Sequence, residues 1–129
     1  MFESPYRSYL EEKIGKVAFT NMDLSFHAID EKILPLMKEE NALTSQYANL
    51  IASAKIDWEG ETLNLSLLSK YREDKDRSVR EKANKKYEQF FVENGDELDR
   101  IYDELVKNRT KQAKALGYDN YIELGYNRL

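Results

Sequence analysis

His27 is the single histidine of the chain and its first candidate for metal or acid–base chemistry. Glu31 follows four residues later, a spacing that puts two side chains on one face of a helix. The pair could supply half of a metal site, but Asp30 between them is a good helix cap and would separate them into two helices. Zinc hydrolases use two or three imidazoles, and no HExxH motif occurs in the sequence. We therefore interpret His27 as a structural or solvated residue.

Carboxylates are the second set of candidates, because a buried pair with one raised pKa can perform acid–base catalysis. The candidates are Glu11, Glu12, Glu39, Glu40, Glu93, Asp96, Asp99, Asp103 and Glu104. Nearly all of them fall on polar faces of predicted helices, where lysine and arginine are interspersed, so we expect a solvated charged surface. A di-metal carboxylate bundle would need Glu-x-x-His pairs on two helices, which one histidine cannot supply.

Composition excludes several other classes of protein. The net charge of −4 is spread along the chain and argues against nucleic acid or an anionic membrane as a partner. The absence of cysteine excludes disulfides, thiolate nucleophiles and cysteine metal sites. No glycine-rich phosphate loop or Ser-His-Asp set can be assembled. The sequence therefore assigns no catalytic or metal-binding residue and leaves the substrate-binding residues unknown.

The elements that would position a site are predicted to be mainly helices, in a single domain over residues 1–129. The chain has only 2 prolines and 5 glycines, and 34% of its residues are charged, a composition typical of helical proteins. No apolar leader and no run of about 18 apolar residues are present, so we expect a cytoplasmic protein.

The first half of the chain carries three helical patterns. A helix is predicted to begin at Ser4 and Pro5, and Gly15 should break or kink it. Its apolar positions are Tyr6, Tyr9, Leu10, Ile14 and Val17, and a less regular series continues at Val17, Phe19, Met22, Leu24, Phe26 and Ile29. Asp30 is predicted to cap a third helix that runs to about Ser53. Its apolar stripe begins with Ile33, Leu34 and Met37.

A β-hairpin is predicted over residues 55–65, where polar and apolar residues alternate on both sides of a turn. Gly60 occupies the turn position that needs a positive φ. A lone two-stranded hairpin is marginal in water, so this one must rest on helices or on further protein.

The second half predicts three more helices. One begins at Asp76 and ends at Asn94 and Gly95, with apolar positions Val79, Ala83, Tyr87, Phe90 and Phe91. Asp96 would cap the next, whose apolar face is Leu98, Ile101, Tyr102, Leu105, Val106, Arg109, Ala113 and Leu116. These two helices should pack as an antiparallel pair. The segment 117–119 would stop the second and cap a last helix carrying Tyr121, Ile122 and Leu124.

Aromatic and arginine residues leave alternatives open. The nine tyrosines mostly occupy apolar helical positions, where they serve either a core or a wall that contacts peptide or another domain. Arg80 and Arg109 lie beside or within apolar stripes. Each either extends along the apolar surface with its head in water or pairs with a buried carboxylate.

Several long blocks of sequence resemble the oligoendopeptidase F family. They are Ser4–Glu11 (SPYRSYLE) with Gly15, Glu40–Ile56 (ENALTSQYANLIASAKI), Gly60 with Thr62–Leu65, Asp76–Arg80 (DRSVR), Asp99–Arg109 (DRIYDELVKNR) and Leu116–Leu129 (LGYDNYIELGYNRL). The blocks follow one another in collinear order over essentially the whole chain, which makes the resemblance specific.

The resemblance implies a neurolysin-like peptidase fold, here a helical bundle or array, and a parent zinc metalloendopeptidase of the thimet-oligopeptidase type that cleaves short peptides in a deep channel. In that family two histidines and a further glutamate hold the zinc, and the glutamate of HExxH is the general base. None of these residues has a counterpart here. The resemblance therefore implies that this chain is the helical part before HExxH, forming channel wall against the remainder of the catalytic domain.

The apolar C-terminus at Leu129 and the unsupported hairpin agree with a fragment. We expect the chain alone to bind no zinc tightly and to hydrolyse no peptide, and an exposed apolar surface would favour its self-association. The alternative is a free-standing helical interaction module whose aromatic patches bind a partner helix. The gene downstream of Leu129 discriminates the two, since a continued reading frame with HExxH supports the fragment and a stop codon supports the module.

Overall fold

The structure, a computed structural model, describes residues 4–128, and within that part the chain is mainly α-helical with one antiparallel hairpin, as predicted. The helices are α1 Arg7–Ile14, α2 Lys16–His27, α3 Leu34–Ala52, α4 Leu65–Arg72, α5 Arg77–Glu93, α6 Gly95–Ala115 and α7 Tyr121–Asn127, and the strands are β1 Ile56–Trp58 and β2 Glu61–Leu63. A single 3₁₀ turn, Glu31–Ile33, precedes α3 in this part of the chain. The leader and the apolar C-terminus considered above involve residues 1–3 and Leu129, which lie outside the described residues.

Two compact units can be distinguished among the described residues. Unit 1 comprises those of Met1–Glu39 and Lys107–Leu129, and unit 2 comprises Glu40–Val106. The single domain expected from the length of the chain stays a prediction, and each unit is described by itself below.

The hairpin belongs to unit 2 and confirms the predicted turn. Ile56 pairs with Leu63 and Trp58 with Glu61, so the buried Ile56 and Trp58 lie on one face of β1. Glu59 and Gly60 both have positive φ, 53° and 89°, as a two-residue turn between twisted strands requires. The glycine was predicted, and the left-handed Glu59 was not.

Helix α4 is an element that the sequence analysis missed. Strand β2 ends at Leu63, two residues before the predicted end of the hairpin, because Asn64 caps a helix there. The Asn64 side-chain oxygen accepts a hydrogen bond from the Leu67 amide at 2.8 Å. Leu65 and Leu68 of α4 are buried against the hairpin and α5, which gives the two strands the support they need.

The core of unit 2 brings together the hairpin, α4 and α5. Its buried members are Ala54, Ile56, Trp58, Leu63, Leu65, Leu68 and Ala83. The apolar positions predicted for α5 pack on this cluster. The helix begins where predicted, since the Asp76 carboxylate accepts hydrogen bonds from the Ser78 amide at 2.8 Å and the Ser78 hydroxyl at 2.9 Å.

The junction of α5 and α6 differs from the predicted reversal. A single residue, Asn94, separates the helices, and its side-chain amide donates to the Phe90 carbonyl at 2.8 Å. Gly95 is the first residue of α6, not a left-handed cap, and Asp96 lies in the first turn instead of capping it. One residue without positive φ cannot turn the chain back. Helix α5 packs closely against α4.

Helix α6 keeps only part of its predicted apolar face. Ile101 and Ala113 are buried, whereas Tyr102 and Val106 are exposed. Two polar residues that the prediction left out, Asn108 and Gln112, are buried at 2% and 0% exposure. Apolar spacing identifies residues that share a face, but it does not tell which part of that face another element covers.

Unit 1 contains α1, α2 and α7. Gly15, with φ 93°, separates α1 from α2 as predicted. Helix α1 begins at Arg7, later than predicted, because the Ser4 hydroxyl accepts from the Tyr6 amide in a preceding turn and does not cap the helix. Asp30 caps the turn before α3 as predicted.

At the other end of unit 1, α6 ends before Gly117, whose φ is 88°. The Tyr118 amide closes this end by donating to the Ala113 carbonyl at 2.9 Å. Asn120, and not Asp119, caps α7, since its side-chain oxygen accepts from the Ile122 amide at 2.9 Å. A small core unites Ala28 with Ala113 and Leu124.

Candidate interaction surfaces

The candidate metal pair of the sequence is divided between two helical elements. α2 ends at His27, and Glu31 opens the 3₁₀ turn after the Asp30 cap. The side chain of His27 lies outside what the structure describes. Within residues 4–128, no group of three or more described His, Cys, Asp or Glu side chains is arranged to hold a metal ion.

The candidate carboxylates are exposed or half-buried with one exception. Glu40 is buried, at 6% exposure, so it does not belong to the solvated surface on which nearly all of these carboxylates were expected. Glu39 accepts a hydrogen bond from the Asn108 side chain at 2.8 Å. Glu104 forms an ion pair with Arg100 at 2.9 Å. Glu39 and Glu104 therefore act in a hydrogen bond and a surface ion pair.

The structure shows different contacts for the two arginines. Arg80 donates from Nη1 to the backbone carbonyls of Asp74 and Lys75, at 2.7 and 3.0 Å, and so ties down the loop before α5. Arg109 lies over the ring of Tyr121, with its guanidinium carbon 5.6 Å from the ring centre.

A buried polar network in unit 1 was missed by the sequence analysis. The Gln112 side chain donates to Asn108 at 2.7 Å, and Asn108 donates to the Leu36 carbonyl at 3.0 Å. Arg128 donates to Gln112 at 3.3 Å and to the Tyr121 hydroxyl at 3.1 Å. The i, i+4 spacing of Asn108 and Gln112 was the available signal. Because these groups satisfy one another, the network is structural.

Many exposed apolar side chains of unit 1 belong to α1, α2 and the residues beside them. Helix α1 has no buried residue, and Phe19 is buried while most other apolar side chains around it are not. We call the exposed set the α1–α2 surface, comprising Tyr6, Tyr9, Ile14, Val17, Met22, Leu24, Phe26 and Ile29. Each of these side chains is at least 37% exposed.

Unit 2 presents a groove between α3 and α6, with a volume of about 450 Å³. We call it the α3–α6 groove. Its lining residues are Tyr47, Leu98, Asp99, Ile101, Tyr102 and Leu105. Ile101 is buried at the base, and both tyrosines are exposed. An apolar cleft with a few polar groups is the usual form of a ligand site.

Arg100 holds the two helices of the α3–α6 groove together. Its guanidinium donates to the Gln46 side chain of α3 at 2.8 Å and to both carboxylate oxygens of Glu97, at 2.7 and 2.8 Å. Glu104 accepts a further contact at 2.9 Å. Hydrogen bonds to these carboxylates raise the pKa of Arg100 and lower that of Glu97.

The described helices include none that is both long enough and apolar enough to cross a membrane. No protein-family model and no curated protein matches the sequence.

Solved structures do match the chain. Over 98% of its length it resembles part of a crystal structure assigned to oligoendopeptidase F of Bacillus anthracis str. Ames, with 46% identity, a TM-score of 0.89 and 23% of that chain covered. A second oligoendopeptidase F structure, at 3.1 Å resolution, is 41% identical with 22% of its chain covered, and PZ peptidase A with an inhibitor is 43% identical with 22% covered. Both cover 98% of this chain with TM-scores of 0.89. The resemblance read from the sequence is confirmed, and the chain spans about a quarter of the length of these structures.

Proposed function

Because this chain has the sequence and fold of a segment of oligoendopeptidase F, we propose that it forms part of the substrate-channel wall of a zinc-dependent oligopeptide endopeptidase. The similarity over 98% of the chain is the observation that carries the proposal. In this proposal the zinc and its ligands belong to the remainder of the parent enzyme, whose substrates are short peptides. A cytoplasmic location belongs to the same proposal, and cell fractionation would test it.

The α1–α2 surface supports a role as one wall of a larger enzyme. Val17 is 76% exposed and Tyr6 69% exposed, although both are large and apolar. Removing apolar surface from water is favourable by about 25 cal/mol for each Å². A partner that covers these side chains would therefore stabilise the assembly. The remainder of the catalytic domain is the partner that we propose for this surface.

A chimeric enzyme tests the proposal. The segment of the Bacillus anthracis oligoendopeptidase F that matches this chain is replaced by residues 1–129, and hydrolysis of a short peptide is measured with and without a chelator. We expect peptidase activity that the chelator abolishes. A second experiment adds the purified chain to the same enzyme lacking the matching segment, where we expect association and recovery of activity.

The outcomes separate the proposal from its alternative. A folded but inactive chimera, together with no association of the two parts, would contradict the channel-wall role and favour a free-standing interaction module. The 129-residue chain alone serves as the control, and we expect no hydrolysis from it. Chelator-sensitive activity from the chain alone would overturn the assignment of catalysis to the remainder of the enzyme.

A further inference from the structure

We propose that the α3–α6 groove binds the N-terminal end of a short peptide, with an apolar side chain against Ile101 and the α-ammonium group beside Asp99. The inference rests on the proposed function, because it assigns the peptide substrate to one surface of unit 2. It is carried by the shape of the groove, by the charge of Asp99 and by a second groove that continues it.

The groove has the dimensions and lining of a peptide-side-chain site. Its volume of about 450 Å³ lies within the range of roughly 300–1,000 Å³ typical of ligand clefts. Leu98, Ile101 and Leu105 provide an apolar surface at helical spacing on α6. Tyr47 and Tyr102 are 48% and 72% exposed, so their rings and hydroxyls are accessible to a ligand. Rigid aromatic side chains of this kind supply contact area at a low entropic cost.

Asp99 gives the groove its preference for a cation. Its carboxylate is exposed and forms no ion pair with the residues that the structure describes. The neighbouring Arg100 does not neutralise it, because that guanidinium is occupied by Glu97, Glu104 and Gln46. An apolar cleft beside an unneutralised carboxylate fits an apolar residue that carries a positive charge. A peptide whose first residue is apolar, such as leucine, has both features, because that residue also carries the α-ammonium group.

A second groove gives the peptide a direction. It has a volume of about 410 Å³ and is lined by Tyr47, Ala48, Ile51, Ala52, Asn64, Leu65 and Ser66. Tyr47 lines both grooves, so a peptide that begins at Asp99 can cross this ring and continue along α3 toward the start of α4. Asn64 and Ser66 provide polar groups there for the peptide backbone.

The test is a titration of the 129-residue chain with Leu-Gly-Gly and with its N-acetyl derivative, followed by NMR chemical shifts at millimolar peptide. We expect shifts at Tyr47, Ile101 and Tyr102, and binding of the free-amine peptide about three- to tenfold tighter than that of the acetylated one. The variant Asp99→Asn keeps the shape of the side chain and should remove this discrimination. Asp57→Asn, on β1 and outside the groove, is the matched control and should retain it.

Several results would overturn the inference. Equal binding of the two peptides, discrimination that survives in Asp99→Asn, or no shifts at the groove residues would each do so. Shifts of the same residues on concentrating the chain without peptide would show that a second copy fills the groove, and would also overturn it.

This experiment is independent of the chimera. An active chimera with a groove that does not bind peptide removes only the present inference. An inactive chimera with an Asp99-dependent peptide site removes the channel-wall role and leaves a peptide-binding module.

Discussion

The two units differ in how much of their apolar surface they bury. In unit 2 the hairpin, α4 and α5 enclose one cluster that contains Trp58 and Leu68. In unit 1 the corresponding cluster is built on Ala28, Ala113 and Leu124, and α1 contributes no buried residue. Both units contain large apolar side chains, so the difference lies in what each has available to pack against. Unit 2 encloses the larger buried cluster, whereas most large apolar side chains of α1 and α2 in unit 1 stay exposed.

The largest expected effect tests the core of unit 2. Leu68 is fully buried, and Leu68→Ala should lower the free energy of unfolding by about 2–5 kcal/mol because it leaves a cavity. Leu67, the preceding residue of α4, is 53% exposed. Leu67→Ala should change the free energy of unfolding by less than about 0.5 kcal/mol. Urea unfolding followed by circular dichroism measures both. Equal losses would contradict the burial of this helix face.

A second pair of variants places similar strain in each unit. Gly60 and Gly117 have φ of 89° and 88°, with open space where a Cβ would lie. Alanine in this left-handed conformation costs about 1–2 kcal/mol. We expect Gly60→Ala to lower the global stability by that amount. We expect Gly117→Ala to increase amide exchange mainly near the end of α6, because the smaller core of unit 1 opens locally.

The control for the glycine pair is Gly95→Ala in the first turn of α6, where φ is not positive. We expect this change to be neutral or stabilising by about 0.4–1 kcal/mol. If Gly117→Ala reduced global stability as much as Gly60→Ala without added local exchange, the contrast between the units would fail.

A smaller effect concerns the cap of α5. Hydrogen bonds from the Ser78 amide and hydroxyl lower the pKa of Asp76 below its usual 3.8. A carboxyl whose pKa is lower in the folded state stabilises the fold above its unfolded pKa, and that contribution disappears as the pH falls through the folded pKa. Asp76→Asn should therefore be less stable than the parent at pH 7, and the gap should close below pH 3.8.

Urea unfolding at several pH values measures that gap. Asp57→Asn, which changes an exposed carboxylate on β1 that caps no helix, is the control. A gap between Asp76→Asn and the parent that stayed constant with pH would show that the charge of Asp76 makes no contribution.

The smallest effect on stability is expected at the α1–α2 surface. Val17 and Met22 are 76% and 47% exposed, so the double variant Val17→Ser, Met22→Ser should change the free energy of unfolding by less than about 0.5 kcal/mol. It should reduce self-association of the chain, measured by light scattering over a concentration series. Val92→Ser, at an isolated exposed position on α5, is the control. A large loss of stability would show that unit 1 buries this surface itself.

Local signals in the sequence predicted much of the fold. The caps Asp30 and Asp76 and the glycine of the hairpin turn were found because each makes its contacts within a few residues. Helix α4 was missed because the alternation of the second strand runs on to Leu65, where the helix begins. The reversal was predicted after α5 because glycine is the favoured residue for a left-handed helix cap. Here Gly95 instead begins α6 without a positive φ, which the residue type alone does not reveal.

The candidate surfaces were less accessible from the sequence. Tyr102 and Ile101 are adjacent in the predicted apolar face, yet one is exposed and the other buried. The α3–α6 groove joins Tyr47 to residues 98–105, which are distant in sequence, and their proximity depends on the tertiary packing. The resemblance to oligoendopeptidase F was found in blocks of sequence without any of this geometry, and it assigned none of these groove residues.

The packing of the single tryptophan has a practical consequence for studying the two units. Trp58 is 3% exposed, and its ring centre lies 4.7 Å from that of Tyr71. The Lys82 ammonium nitrogen lies over the Trp58 ring, 4.8 Å from the ring centre. Its fluorescence emission should therefore be shifted to short wavelength while the hairpin is closed on α4, and should move to long wavelength when that core opens. Loss of structure confined to α1 would leave the emission unchanged, so one intrinsic fluorophore reports on unit 2 alone.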